Sequence, residues 1–420
     1  MAEKKKIKVL TLGDMPLLPS GVGTQTKYII DALLQSGKFE VISLGGAISH
    51  PSYEPIRLEE HGEDWTIYPV DNYGDKNIVR SILHGQKPDI VWFMTDPRFY
   101  EWLWQIEDEV RPYAPLVYYH VWDNYPLPTY NKKWYTSTDF IATISKVTSD
   151  IVQRVSPEVA EKYIPHAVNG NIFKKLPDDH EELEAARLSL KMKDKFVLFW
   201  NNRNARRKQS GSLLFWYKKF LDKVGHDKAV LLLHTDINDH HGQPLQVIAQ
   251  ELGLDKGQIA FSTAKTTADQ LAIMYNLADC TVNIADAEGF GLATLESLSC
   301  ETPIIVTMTG GLQEQVTDGK DWFGIGIEPS SKAVIGSPTV PWIHEDRINE
   351  DEFVESLYTM FTKTSEERGK LGQAGRQHVL KNYNFETYGK TWVETMCQIH
   401  EDMGSWETRK NYKAWECVEL

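Results

Sequence analysis

In both halves of the chain, short β-branched and apolar runs alternate with stretches whose apolar residues recur at helical spacing. Residues 6–14 (KIKVLTLGD) predict a first strand, and residues 20–26 (SGVGTQT) a glycine-containing turn into a helix through Leu34. Further strands are predicted within 116–123, from Phe196 up to the loop that carries Arg203, and at 280–285 and 302–308, with helices at 212–224 and 292–300. Residues 280–308 therefore read as one strand–helix–strand unit. A last region, 351–400, is helical, with Phe353, Leu357, Phe361, Trp392 and Met396 on inward faces.

This alternation predicts an α/β chain of two doubly wound, Rossmann-like parallel-sheet domains. At 420 residues there is enough chain for two separate cores. The charged stretch 174–194 lies around their boundary, since residues 174–180 (KKLPDDH) read as linker and loop. We place the domains at 1–172 and 173–390, with 391–420 as a C-terminal helical segment. Residues 330–345, with Gly336, Pro338 and Pro341, read as an extra loop, either a lid or a plain insertion.

Composition narrows the classes. The formal charge of −14 argues against broad affinity for nucleic acid or anionic membrane. No run of about 18 apolar residues predicts a membrane-spanning helix. The basic start Lys4, Lys5, Lys6 leads into a mixed strand rather than the apolar core of a signal peptide. Cys280, Cys300, Cys397 and Cys417 are widely spaced and form no metal or redox pattern, so a reducing cytoplasm is the simplest location.

The densest chemistry lies in residues 287–296 (AEGFGLATLE). Gly289 and Gly291 allow close approach of the backbone to a ligand, and the start of the following helix offers unpaired N–H groups that favour an anion such as a diphosphate. Glu288 and Glu296 fall toward one end of that helix, where one carboxylate can reach a sugar and the other a ribose. A plainer reading makes Glu288 a macrodipole-stabilised acid and Glu296 a solvated one. Upstream, one strand-to-helix loop concentrates Arg203, Arg206, Arg207 and Lys208 in a net-acidic chain. These cations suit phosphate, at about 1.5–3 kcal/mol for each charge-assisted bond, or else form a solvated basic loop.

Arg203 and Lys208, the acid–glycine segment Glu288, Gly289, Phe290, Gly291 and Leu292 with Glu296, and Gly310, Gly311 with Glu314 resemble the donor-site signature of family 4 retaining glycosyltransferases of the GT-B fold. Order and spacing agree over nearly the whole chain. The resemblance implies two Rossmann-like domains facing across a cleft, with the last helix crossing back to the first domain. It implies sugar transfer from a UDP- or GDP-linked donor to an acceptor hydroxyl with retention. Arg203 and Lys208 would stabilise the leaving diphosphate, with the backbone at Gly289 to Gly291. Phe290 and Leu292 would complete the donor loop. Glu288 would orient the sugar and Glu296 would bind ribose. It also makes Gly21 and Gly23 donor contacts, although alone they read as a tight turn. By the same resemblance His120, at a strand's carboxyl end, faces the transferred sugar with Asp123 nearby; alone, a histidine there is more often structural than functional. One departure is His166-Ala167, where the family usually has Asn-Gly.

No metal or other cofactor is expected. The Asp-x-Asp pair that holds a divalent ion in the other main glycosyltransferase fold is absent, Asp286-Ala-Glu288 being its nearest imitation. His240 and His241 with Asp236 and Asp239 read as a solvated polar loop. Two other readings stay open: a sugar-nucleotide epimerase of the same fold, and a non-catalytic sugar- or nucleotide-binding protein. The acceptor is equally open among glycan, lipid-linked sugar, small metabolite and modified nucleic acid. The many aromatics between Trp92 and Tyr135 suit either stacking or core.

Overall fold

The computed structural model describes residues 5–190, 192 and 194–413, so Lys4 and Cys417 lie outside the described residues. The chain forms two units. The first runs to Ala167 and resumes at Phe385; the second is Val168–Asn384. These junctions compare with 172/173 and 390/391 expected from sequence. An isolated bridge between Val168 and Asn384 brings the two ends of the second unit together, and a new helix begins at Phe385.

The first unit holds strands β1 (Ile7–Asp14), β2 (Phe39–Gly46), β3 (Trp65–Pro69), β4 (Ile90–Met94), β5 (Leu116–His120), β6 (Phe140–Thr143) and β7 (Ala160–Tyr163). They form one parallel sheet in the order β3-β2-β1-β4-β5-β6-β7. All five residues of β4 are buried, as a central strand covered on both faces requires. Helix Phe385–Met403 closes this unit. Its Trp392 is fully buried, with ring centroids 6.0 Å from Trp92 and 4.9 Å from Tyr119, and Phe385 packs edge-on against Tyr28 of helix Gly21–Gln35. Past it, Ser405 Oγ donates to Asp89 (2.6 Å) and Arg409 to Asp139 (2.8 Å).

The second unit has β8 (Phe196–Asn201), β9 (Ala229–His234), β10 (Ile259–Ser262), β11 (Cys280–Asn283), β12 (Ile304–Thr307) and β13 (Gly324–Ile327), parallel in the order β10-β9-β8-β11-β12-β13. Its core joins Leu198, Trp200, Leu213, Tyr217 and Leu231 to Phe353 and Leu357 of helix Glu350–Thr362. The strand order reverses between β8 and β11. The loops leaving these two neighbouring strands are therefore adjacent at the carboxyl edge, where open α/β sheets bind ligands.

One expectation needs correcting: residues 330–345, read as a loop, are an antiparallel hairpin, β14 (Ser331–Ser337) and β15 (Val340–Arg347). Residues 174–180 carry neither helix nor strand, as expected of linker and loop, and helix Glu181–Ser189 follows them, its three first-turn acids suiting a helix start and its Leu183 buried. The helical region 351–400 consists of three helices, broken at Lys363 and Tyr383. Phe353, Leu357, Trp392 and Met396 are buried, and Phe361 is partly so. No helix among the described residues is long and apolar enough to cross a membrane.

Candidate functional site

In the second unit β8 leads into a short turn, Arg206–Lys208, and then helix Ser210–Val224. β11 leads into the acid–glycine loop and helix Leu292–Ser299. Because the strands are neighbours, Lys208 meets Glu288: its Nζ donates to Glu288 Oε2, to which Asn283 Nδ2 also donates at 3.2 Å. Both partners of the ion pair are buried. Burial works to raise the Glu288 pKa, but Lys208 and Arg207 outweigh it and hold the carboxyl below its ordinary value.

Gly291 is the N-cap of helix Leu292–Ser299, with φ +95° and no side chain to cap the first amides. The loop around it is fixed from behind. Gln315 Nε2 donates to the Phe290 carbonyl (2.7 Å), Thr294 Oγ1 to the Gly291 carbonyl (2.8 Å), and the Gly311 amide to the Glu288 carbonyl (3.1 Å). Gly289 is partly exposed, while Phe290 is buried edge-on against Tyr383. A Cβ on Gly311 would stand 2.6 Å from Phe290 Cα and 2.7 Å from its oxygen. Gly311→Ala is therefore expected to push the loop forward, costing about 1–3 kcal/mol. A melt and a nucleoside-diphosphate titration check this; a variant that melts and binds like wild type would show the loop has room to yield.

Glu296, in the second turn of that helix, accepts from Tyr275 Oη at 2.7 Å. Burial pushes its pKa up from 4.5 to about 7, against the opposing effect of the tyrosine. Arg203 stands apart from the Lys208–Glu288 pair. It is mostly exposed, with Nε 2.5 Å from Asp239 Oδ2 and a terminal nitrogen 2.8 Å from His241 Nδ1. Asp239, His240 and His241 bring one potential metal-ligand atom each within 4.8 Å of one another, and the guanidinium occupies two of the three residues. Sequence reasoning missed Asn283, Tyr275 and the acidic partners of the basic loop. Asn283 is detectable in principle as the last strand residue before the motif; Tyr275, on another helix, carries no local signal.

In the first unit, Ser20 caps helix Gly21–Gln35 by accepting from the Gly23 amide (2.9 Å) and donates to Asp14 Oδ2 (2.6 Å). A Cβ on Gly23 would meet the Leu18 and Met15 carbonyl oxygens at 2.9 Å, so the turn itself requires glycine there. His120 ends β5 fully buried, Nε2 2.7 Å from Tyr135 Oη and Nδ1 without a hydrogen bond. Burial lowers its pKa to about 3, so the imidazole is neutral near pH 7.

A switch-point loop with a buried lysine–glutamate pair and an uncapped helix start is an arrangement that can receive an anion. Residues 180–336, within the second unit, match the family model described as glycosyl transferases group 1. Among curated relatives, a probable sucrose-phosphate synthase of Thermosipho melanesiensis is 29% identical over 40% of this chain and 37% of its own length. A D-inositol 3-phosphate glycosyltransferase of Corynebacterium jeikeium is 37% identical over 21% of each chain. The aligned stretches thus span well under half of those relatives. Solved structures match the fold more widely. Sucrose-phosphate synthase from Thermosynechococcus elongatus gives a TM-score of 0.74 at 16% identity, covering 95% of this chain and 100% of that one. Anabaena HepE in complex with UDP and glucose gives 0.69 at 14%, covering 93% and 100%. The fold is GT-B, with two parallel-sheet Rossmann-like domains.

Proposed function

We propose that this chain transfers a sugar from a nucleoside-diphosphate sugar to an acceptor hydroxyl, with retention and without a metal. The observation that carries the reading is the buried Lys208–Glu288 pair at the mouth of an uncapped helix start, inside the segment that matches the glycosyl transferases group 1 family model. Lys208 and the amides after Gly291 stabilise charge on the departing diphosphate, and Arg203 reaches it by leaving Asp239. Glu288, held ionised, orients sugar hydroxyls. Glu296 accepts from the ribose. We keep His120 as the catalytic candidate of the first unit, its imidazole neutral, and the acceptor proton passes to the diphosphate. Lys208 and Arg203, with the helix-start amides, support a diphosphate site in which protein charge does the work a divalent ion does elsewhere. UDP heads the list of nucleotides, since Anabaena HepE was solved with UDP and glucose; GDP follows. Phosphorylated sugars and polyols head the acceptors, because the relatives' names carry inositol 3-phosphate and sucrose phosphate. Glycans, lipid-linked sugars, other small metabolites and nucleic acid complete the panel.

The test is incubation with UDP- and GDP-sugars and that panel in excess chelator, with products resolved by mass and by anomeric NMR. An α-linked product from an α-linked donor, with nucleoside diphosphate released, is expected. An epimerised donor with no acceptor consumed, or nucleotide binding without turnover across the panel, would replace this reading by one of the other two. Activity that appears only on adding a divalent ion would remove the metal-free part.

A further inference from the structure

The hairpin β14–β15 presents two unlike faces. Val334 is 68% exposed on one, whereas Glu345, on the other, is 2% exposed and turned toward the basic loop. Arg206 grips that carboxylate with both terminal nitrogens, at 2.8 and 2.5 Å, and Arg347 adds a bond to Glu345 Oε2 at 2.8 Å. Arg347 also lies 3.3 Å from Asp286 Oδ2. Asp286 in turn accepts from Gln209 Nε2 at 2.6 Å, while its backbone carbonyl accepts from the Asp346 amide and its amide donates to the Arg207 carbonyl, both at 2.8 Å. Arg207 closes the loop by donating to the Ala287 carbonyl at 2.5 Å.

The residues on either side of Lys208 are thus all clamped to two acidic side chains or to the backbone beside them. Gln209 gives the clamp a purpose. It sits at φ +57°, a left-handed conformation that a non-glycine side chain does not hold unaided, and it is the residue that turns the chain from Lys208 into helix Ser210–Val224. Its amide is held at both ends, by Asp286 and by Ser212 Oγ at 2.6 Å. With the Glu345 and Asp286 carboxylates removed, the turn keeps its backbone bonds but loses the side-chain clamps that add to them, and Lys208 rides on that turn.

We propose that Glu345, Asp286 and Arg347 are positioning residues that hold the loop 206–209 so that Lys208 addresses the donor diphosphate, and that the hairpin is a fixed brace of the donor site rather than a lid. This rests on the donor-site reading above. Arg206 has its charge committed to the brace, and its contribution to donor binding is made through Glu345.

The test is a double-mutant cycle on the full chain, with Glu345→Gln, Arg206→Ala and the double variant, reading the UDP and GDP dissociation constants by calorimetry and KM against kcat for the turned-over donor. Each single variant is expected to weaken nucleotide binding about tenfold and to raise donor KM by a similar factor, with kcat within about threefold. The double variant is expected to lose no more than either single one, the non-additivity of residues acting as one unit. Arg206 is largely exposed, so Arg206→Ala keeps the cycle readable even if Glu345→Gln folds poorly. Val334→Ser, on the hairpin's exposed face, is expected to bind like wild type. Losses that add in the double variant, or a Glu345→Gln that binds as well as wild type or better, would make Arg206 a direct donor contact and overturn the brace. No binding of any nucleoside diphosphate by the wild type would overturn the donor-site reading and the brace together.

Discussion

Lys208→Ala is expected to lower turnover of the nucleotide sugar by about 10²–10³-fold, the usual cost of removing one donor aimed at developing charge, and to abolish thermal stabilisation by the nucleoside diphosphate. A folding cost comes with it. The variant leaves Glu288 buried without its cation, a change typically worth about 3–5 kcal/mol, so lost activity alone is ambiguous. Lys208→Met paired with Glu288→Gln separates the two effects. The double variant removes both charges and keeps the shape, so its melting temperature should return to within a few degrees of wild type while activity stays lost. If activity returns with stability, Lys208 serves only to neutralise Glu288, and the diphosphate is held elsewhere.

Glu296→Gln is expected to move binding and stability in opposite directions. A ribose hydroxyl donates better to an ionised carboxylate than to an amide, so nucleotide affinity should fall about tenfold or more. Discrimination between ribose and deoxyribose nucleotides should shrink with it. In the wild type, a carboxyl with pKa about 7 is half protonated near neutrality, so affinity should rise from pH 6 to pH 8; in the variant that slope should vanish. The stability effect has the opposite sign. The folded pKa lies above the unfolded one, so between pH 4.5 and about 7 the folded state holds the extra proton and stability falls as pH rises through that window. The amide cannot ionise. Relative to wild type, the variant should therefore gain melting temperature at pH 8 over its value at pH 5. Equal pH profiles for the two proteins would show that Glu296 titrates normally and meets no nucleotide.

The parts of this site that were legible in the sequence are those carried by local pattern. The run at 280–285, the two glycines and the apolar spacing after Leu292 each reflect a constraint acting over a few residues, and the observed strand, turn and helix follow them closely. The hairpin was not legible. Gly336, Pro338 and Pro341 outweigh a two-residue alternation only a few residues long, and the buried member of its key ion pair, Glu345, has its partner 139 positions away at Arg206. Helix Glu181–Ser189 gave no signal for a related reason: it buries only Leu183, so its sequence carries little apolar period. His120 shows a different gap. Its place at a strand end was readable, but full burial and a neutral ring depend on Tyr135 and the surrounding core.

The route of the chain has a consequence for biosynthesis. The second unit is one continuous stretch, whereas the first needs Phe385–Met403, which follows it. Chains are extended at about 5–20 residues per second and fold domain by domain as they emerge. The seven-stranded sheet is therefore made first but completed last. Until Trp392 arrives, Trp92 and Tyr119 lack the ring that covers them, and the nascent protein carries an aromatic face while its neighbour folds. A ribosome stalled before Phe385 would release a chain whose second unit is whole and whose first unit is adhesive, so early termination should feed aggregation and chaperone capture rather than yield a soluble fragment.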